Sequence, residues 1–264
     1  NVYILVLPGC ARSPSKNGID LLLEHFSSYS VIDKEFIASL GVGGLLNDTS
    51  VRRSPRDNKK KYKQDRNKNP LICAIILAAG MSKRMGNNKL LIEIDKKPLI
   101  RIIADAVTNS HVDKVIVVTG YEEKKITRAL CGIDLDFVFN KDYHRGMASS
   151  IKAGIDYIPN EFDGTLICLG DMPLLTPKHI NDLLNPFDDN AKRSIGVPVY
   201  SGKRGNPVLW SNKYLGDFAN LSGDIGAKDL IKKHYSNVYE VEFCDSAVKV
   251  DLDTEDDLEV YNLN

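Results

Sequence analysis

The chain has 264 residues, 43% of them hydrophobic and 27% charged, with 35 basic side chains set against 35 acidic ones. Those values bound a globular protein of one or two domains, long enough to bury a core. A net charge of zero gives no overall electrostatic bias toward nucleic acid or anionic membrane, and no run is apolar and long enough to span a bilayer, so neither is expected as a partner.

Residues 1–51 open with a short apolar stretch, residues 2–7, that reads as a buried strand. A turn at Pro8-Gly9 follows, then two helical stretches, from Asn17 and over residues 34–44. The apolar start has no basic region before it and so does not read as a signal peptide. With no initiator Met, the chain reads as a fragment or a processed product. Fifty-one residues are few for an independent core. Residues 52–70 are basic, polar and almost free of aliphatic side chains, and cannot bury enough apolar surface to offset their ordering entropy. They read as a flexible linker. A basic arm for an acidic partner is the sharper alternative, but no aromatic stacking platform accompanies the charges.

From residue 71 the pattern becomes regular. Leu71-Ile72-Cys73-Ala74-Ile75-Ile76-Leu77 is a continuous apolar run, as in a strand buried on both faces. Helical periodicity follows over residues 98–109, then a strand at 115–118, a helix at 122–130, a strand at 135–139 and a helix at 147–158. A fully apolar strand at 165–169 leads into a helix at 177–184. Beyond residue 193 the expected elements are short strands at 195–199 and 208–210, a helix at 227–234, a strand at 248–252 and a closing helix from Glu255. Strands alternating with helices predict an α/β fold, a mainly parallel sheet covered on both faces, with ligand loops after Leu77 and Leu169 at its carboxyl edge. The domain is expected to run from 71 to 264.

Three motifs carry chemistry. The first strand ends in Leu77-Ala78-Ala79-Gly80-Met81-Ser82-Lys83-Arg84-Met85-Gly86-Asn87-Asn88-Lys89-Leu90-Leu91. Small residues allow a phosphate chain to approach the backbone, loop amides can cradle an anion, and Arg84 and Lys89 add positive charge. The stretch is neither a P-loop nor a dinucleotide fingerprint, and a plain glycine turn with two solvated cations is the bland alternative. The second motif, Leu169-Gly170-Asp171-Met172-Pro173, places a carboxylate at a strand's end, where it can hold Mg²⁺ or merely cap the turn before Pro173. In the third, Val250-Asp251-Leu252-Asp253-Thr254-Glu255-Asp256-Asp257, Thr254 and Asp257 read as a helix cap. Asp251 and Asp253 alternate, so that one of them reaches a given metal; Asp253 is favoured over Asp251. The segment Asn140 to Ser150 opens a helix whose amides, with Ser149 or Ser150, can meet nucleotide or phosphate. His144 and His179 are lone histidines and read as surface or structural residues rather than catalysts. Five scattered cysteines without C-x-x-C spacing fit a reducing cytoplasm.

The first motif, with Gly-Asp-Met-Pro and the later segments in order from about residue 71 to 258, resembles the MobA-like NTP transferase family, in its molybdenum cofactor cytidylyltransferase branch. The resemblance implies a Rossmann-like, three-layer α/β/α nucleotidyltransferase fold of the glycosyltransferase-A type. It implies cytidylyl transfer from CTP to a molybdopterin-type cofactor with release of pyrophosphate. By the same resemblance the nucleotide contacts are Leu77, Ala78, Ala79, Gly80, Arg84, Lys89, Gly146, Met147 and Ser150; Arg84, Lys89 and Asp171 are catalytic; and Asp171 and Asp253 hold Mg²⁺. Arg204, Asn206 and Asp224 are the polar candidates for the acceptor. Guanylyl members resemble this loop with a second glycine at the position of Ala79, which points to CTP. Residues 1–51 resemble the end of the molybdopterin-binding domain that precedes the transferase in some bacterial fusion proteins. A molybdoenzyme or its chaperone is the implied protein partner. The rival readings are a guanylyl- or other nucleotidylyltransferase acting on a sugar or polyol phosphate, and a non-catalytic cofactor-binding or carrier module.

Overall fold

A computed structural model of the chain describes residues 69–81, 88–221, 223, 227–252 and 257. The N-terminal segment, nearly all of the basic linker, Arg84, Asp224, Asp253 and the closing helix apart from Asp257 lie outside the described residues.

The apolar run after Leu71 forms β1 (Ile72–Ala78), and its alternate residues enter different cores. Ile72, Ala74, Ile76 and Ala78 pack on one face with Leu99, Ile103, Ile180 and Leu183. On the other face Ile75 packs with Ala79 and Val118. That two-sided burial explains why the strand is hydrophobic throughout rather than alternating. A short 3-10 turn at Lys89–Leu91 and a small hairpin, β2 (Glu93–Ile94) and β3 (Lys97–Pro98), lead into α1 (Leu99–Thr108). The chain continues through β4 (Lys114–Thr119), α2 (Glu123–Ala129), β5 (Asp136–Phe139), α3 (Met147–Ile155) and β6 (Gly164–Leu169). Helix α4 (Pro177–Leu184) begins with Pro177 in its first turn, where no amide donor is needed. Thr176 and His179 close a capping box there, and the His179 imidazole also meets Asp245 Oδ2 at 3.1 Å. His179 is thus a structural residue with partners.

The last part comprises β7 (Ile195–Tyr200), β8 (Lys203–Arg204), β9 (Val208–Ser211), a 3-10 stretch at Asn212–Asn220, α5 (Lys228–Lys233) and β10 (Val238–Glu242). The strand order is β10-β7-β9-β6-β1-β4-β5, with β8 beside β7. Pairing is parallel for β1 with β4 and β6, β4 with β5, and β7 with β10, and antiparallel where β9 meets β6 and β7. The expected α/β architecture is therefore present, as a mixed, mostly parallel sheet. Two details differ from expectation. A strand forms over 238–242, where none is expected, and residues 249–252, expected as a strand, carry no strand pairing and follow a 3-10 turn, Ser246–Val248, capped by the Asp245 side chain. Asp245 accepts the Ala247 amide, and Val248 gives its carbonyl to the Asn206 amide, so these backbone groups are satisfied without a ladder. Among the described residues no helix is long and apolar enough to cross a membrane.

Candidate active site

The carboxyl ends of β1 and β6 lie side by side, in register from Ile72 opposite Gly164 to Leu77 opposite Leu169. This register sets the first and second motifs against each other. The Gly170 amide donates to the Leu77 carbonyl at 3.1 Å, and a side chain at Gly170 would come within 2.8 Å of that oxygen. A glycine is needed there for the two backbones to approach. Among the described residues nothing lies within 4 Å of where a side chain at Gly80 would stand, whereas the side chains of Ala78 and Ala79 are buried. The loop therefore offers backbone to a ligand. The Ala79 methyl points inward against Ile75, Val118 and Tyr143, so its influence on a bound base passes through that packing.

Beyond the loop, Asn88 caps the 3-10 turn by accepting the Leu90 amide, and Leu90 anchors the turn in the core. This fixes the backbone of Lys89. Its Nζ lies 2.6 Å from Asp171 Oδ2, with both side chains about five-sixths buried. Asp171 Oδ1 is buried and, among the described residues, accepts no hydrogen bond. A buried carboxylate oxygen without a donor is costly, a cost that a cation would offset once the site opened to it. The Asp171 carbonyl in turn accepts the Leu252 amide at 3.0 Å, which brings the Val250-Asp251-Leu252 segment against the second motif. Asp251 is exposed on this segment. Among the described residues no three His, Cys, Asp or Glu side chains gather into a ready metal cluster.

The segment after β5 forms a second cluster. Asn140 is buried, and its amide nitrogen donates to Ser149 Oγ at 2.9 Å and Ser150 Oγ at 3.0 Å, while its oxygen accepts the Asp142 amide. Sequence reasoning picked out the serines and missed the asparagine that holds them. A buried polar residue at a strand end, ahead of two hydroxyls on a helix start, was the available signal. Gly146 enters α3 with φ of 95°, a conformation that only glycine adopts without strain. The Ala148 amide donates to the Gly223 carbonyl, so part of the helix start is satisfied within the protein. A pocket of about 390 Å³ opens beside Asn140, Ser149, Arg145, Lys152 and Gly223. It lies along α3 and does not include Asp171.

Arg204 ends β8, and Asn206 stands on the β8–β9 connection. Arg204 Nε donates to Glu240 at 2.7 Å and its guanidinium lies 5.7 Å from the Tyr235 ring centre. The Asn206 amide donates to Val248. Residues 248–252 thus join Asn206 at one end to Asp171 at the other, although no side-chain contact between Arg204 and Asp171 is made.

A loop of exposed backbone, a lysine and a metal-suited carboxylate at the carboxyl edge of an α/β sheet define a protein that handles nucleoside phosphates. The chain belongs to the MobA-like NTP transferase family, whose model matches residues 74–238, and is a nucleotidyltransferase. It is 27% identical over 191 residues to the molybdenum cofactor cytidylyltransferase of Escherichia coli (strain K12), covering 70% of this chain and 93% of that one. It is 26% identical over 211 residues to the purine catabolism protein PucB of Bacillus subtilis (strain 168), covering 73% and 97%. Among solved structures, Rv0371c from Mycobacterium tuberculosis H37Rv superposes with a TM-score of 0.64 at 26% identity, over 73% of this chain and 97% of that one. A second structure of that protein, in complex with manganese, gives a TM-score of 0.61 at 24% identity over 72% and 97%.

Proposed function

We propose that the protein transfers CMP from CTP to the terminal phosphate of a molybdopterin-type cofactor, with Mg²⁺ held at Asp171. The observation that carries this reading is the Asp171 carboxylate, with one oxygen on Lys89 and the other buried without a donor, beside the Leu77–Gly80 backbone. The molybdenum cofactor cytidylyltransferase among its relatives supports the acceptor and the base.

In the reaction an oxygen of the acceptor phosphate forms a bond to the α-phosphorus of CTP. The bond from that phosphorus to the bridging oxygen breaks, and pyrophosphate leaves with the electron pair. Little covalent work falls to the protein, so positioning and charge neutralisation dominate. The amides around Gly80 face the triphosphate, Lys89 brings a fixed positive charge, and Asp171 holds the divalent ion, with Asp253 as the proposed second ligand. Bound there, Mg²⁺ supplies Lewis-acid stabilisation of charge on the α-phosphate. Asn140 holds Ser149 and Ser150 at the base side. Arg204, Asn206 and Asp224 are assigned to the acceptor, with residues 248–252 linking that side to Asp171.

The test is pyrophosphate release by the full chain with Mg²⁺ and CTP or GTP, with and without molybdopterin. Release that requires CTP and molybdopterin together is expected. Release with GTP would move the protein to guanylyl transfer, and release that needs a sugar or polyol phosphate in place of molybdopterin would replace the acceptor. Nucleotide binding without release under any of these conditions would favour a carrier module.

A further inference from the structure

The Lys89–Asp171 pair has a consequence for the order in which ligands enter, one that rests on the reading of Asp171 as a metal ligand. Lys89 Nζ sits at 2.6 Å from Oδ2, and Oδ1 is buried, so neither carboxylate oxygen is open to an incoming ion in this state. A divalent ion arriving alone meets an ammonium already in contact with its ligand, and two like charges at such range in a largely buried site repel strongly. The backbone of Lys89 is held by the Asn88 cap and by Leu90 in the core, which leaves the four-carbon stem as the part able to move. The exposed Gly80 backbone marks where a triphosphate would lie, on the same sheet edge.

We propose that Lys89 is a resident cation that closes the Asp171 carboxylate until a nucleoside triphosphate draws its ammonium away. Metal and nucleotide binding then become mutually dependent. The triphosphate offers Lys89 a new anionic partner and frees Asp171 for the ion, and by linkage the ion strengthens nucleotide binding by the same factor. Lys89 thereby acts before the chemical step, as a gate on the metal site, in addition to meeting phosphate during it. Without nucleotide, the gate keeps a buried carboxylate neutralised and the site closed to stray divalent ions.

The experiment is Mn²⁺ titration of the full chain, followed by the paramagnetic resonance signal of free Mn²⁺, with and without CTP. The wild type is expected to bind Mn²⁺ weakly alone and more tightly with CTP. Lys89→Met should bind Mn²⁺ alone about tenfold more tightly, and the gain from CTP should shrink by a like factor. Lys89→Arg, which keeps the charge, should stay weak. Lys97→Met, which removes an exposed lysine paired with Asp105, should behave as wild type. Equal Mn²⁺ affinity in the wild type and Lys89→Met, with Asp171→Asn losing binding in both, would overturn the gate and leave the metal site standing. Undiminished binding in Asp171→Asn would overturn the metal site itself. Should Lys89→Met fail to fold, strictly additive binding of Mn²⁺ and CTP to the wild type would be enough to reject the gate.

Discussion

Leu252 donates its backbone N–H to the carbonyl of Asp171 at 3.0 Å, and its side chain is fully buried in the core shared by β1, α1 and α4. The position of the site's central carboxylate therefore depends on an apolar residue of the third motif. Leu252→Ala removes buried methyl groups and leaves a cavity, which is expected to destabilise the fold by about 2–4 kcal/mol. Urea unfolding measures that loss, and pyrophosphate release at a temperature where the variant is still folded should fall several-fold as well. Full activity in a destabilised variant would show that the Leu252 anchor does not set the site.

Asp171→Asn keeps the side chain's shape but takes away its charge. Loss of a group that stabilises developing charge in a water-poor site costs about a hundredfold or more in turnover. The variant should retain the wild-type circular dichroism spectrum while its pyrophosphate release drops by that factor. Near-normal turnover would remove Asp171 from the mechanism.

Replacing Asn140 by Ala strips the donor from two hydroxyls and the acceptor from the Asp142 amide. Leaving such partners unsatisfied costs about 1–3 kcal/mol each in a buried setting, less wherever water can enter. A lower thermal midpoint is expected, with KM for the nucleotide raised more than kcat is reduced, because the start of α3 is held by this side chain. An unchanged KM would mean that the Ser149–Ser150 region is away from the nucleotide.

Ala79 bears on base choice. Its methyl is buried against Ile75, Val118 and Tyr143, so Ala79→Gly opens a small space under the loop and lets Tyr143 shift. The expected result is a lower ratio of kcat/KM for CTP over GTP. Competition between the two nucleotides in one reaction reads this ratio directly, and a constant ratio would place base selection elsewhere.

The dependence on acid follows from Asp245. The Ala247 amide, and the His179 ring beyond it, hold its carboxyl below the ordinary aspartate value. A lowered value in the folded state means a contribution present above the unfolded pKa of about 3.9 and lost as pH falls through the folded value. Thermal midpoints measured from pH 6 down to pH 3 should drop more steeply for the wild type than for Asp245→Asn, and the two curves should converge at the acid end. Parallel curves would show that this cap contributes nothing to acid sensitivity.

What the sequence disclosed follows from which interactions are local. β1 is fully apolar and β6 nearly so, Thr165 apart, because both faces are covered, and they are legible as strands for that reason. β10 is not, because Val238-Tyr239-Glu240-Val241-Glu242 is an edge strand, half exposed, whose polar residues break the apolar run. Residues 248–252 read as a strand because Val248, Val250 and Leu252 alternate and are buried, while the absence of ladder pairing there depends on the turn at 246–248 and its Asp245 cap, which are matters of geometry. Asp171 and Lys89 were each visible as chemical groups within motifs. Their direct contact was not, since it depends on the parallel register of β1 with β6 and on the turn that follows β1.

The reversed direction of β9 has a further effect. Lying antiparallel between β6 and β7, it sends its entry rather than its exit to the edge where β1 and β6 end. Residues 201–207 therefore reach that edge from a hairpin, while the loops after β1 and β6 lead into the layers that cover the sheet. A hairpin tip can lengthen or shorten without moving a helix, whereas a crossover loop cannot change without shifting the layer behind it. One side of this edge is thus built by a hairpin and the other by crossovers, so the two sides of the site answer differently to a change in loop length.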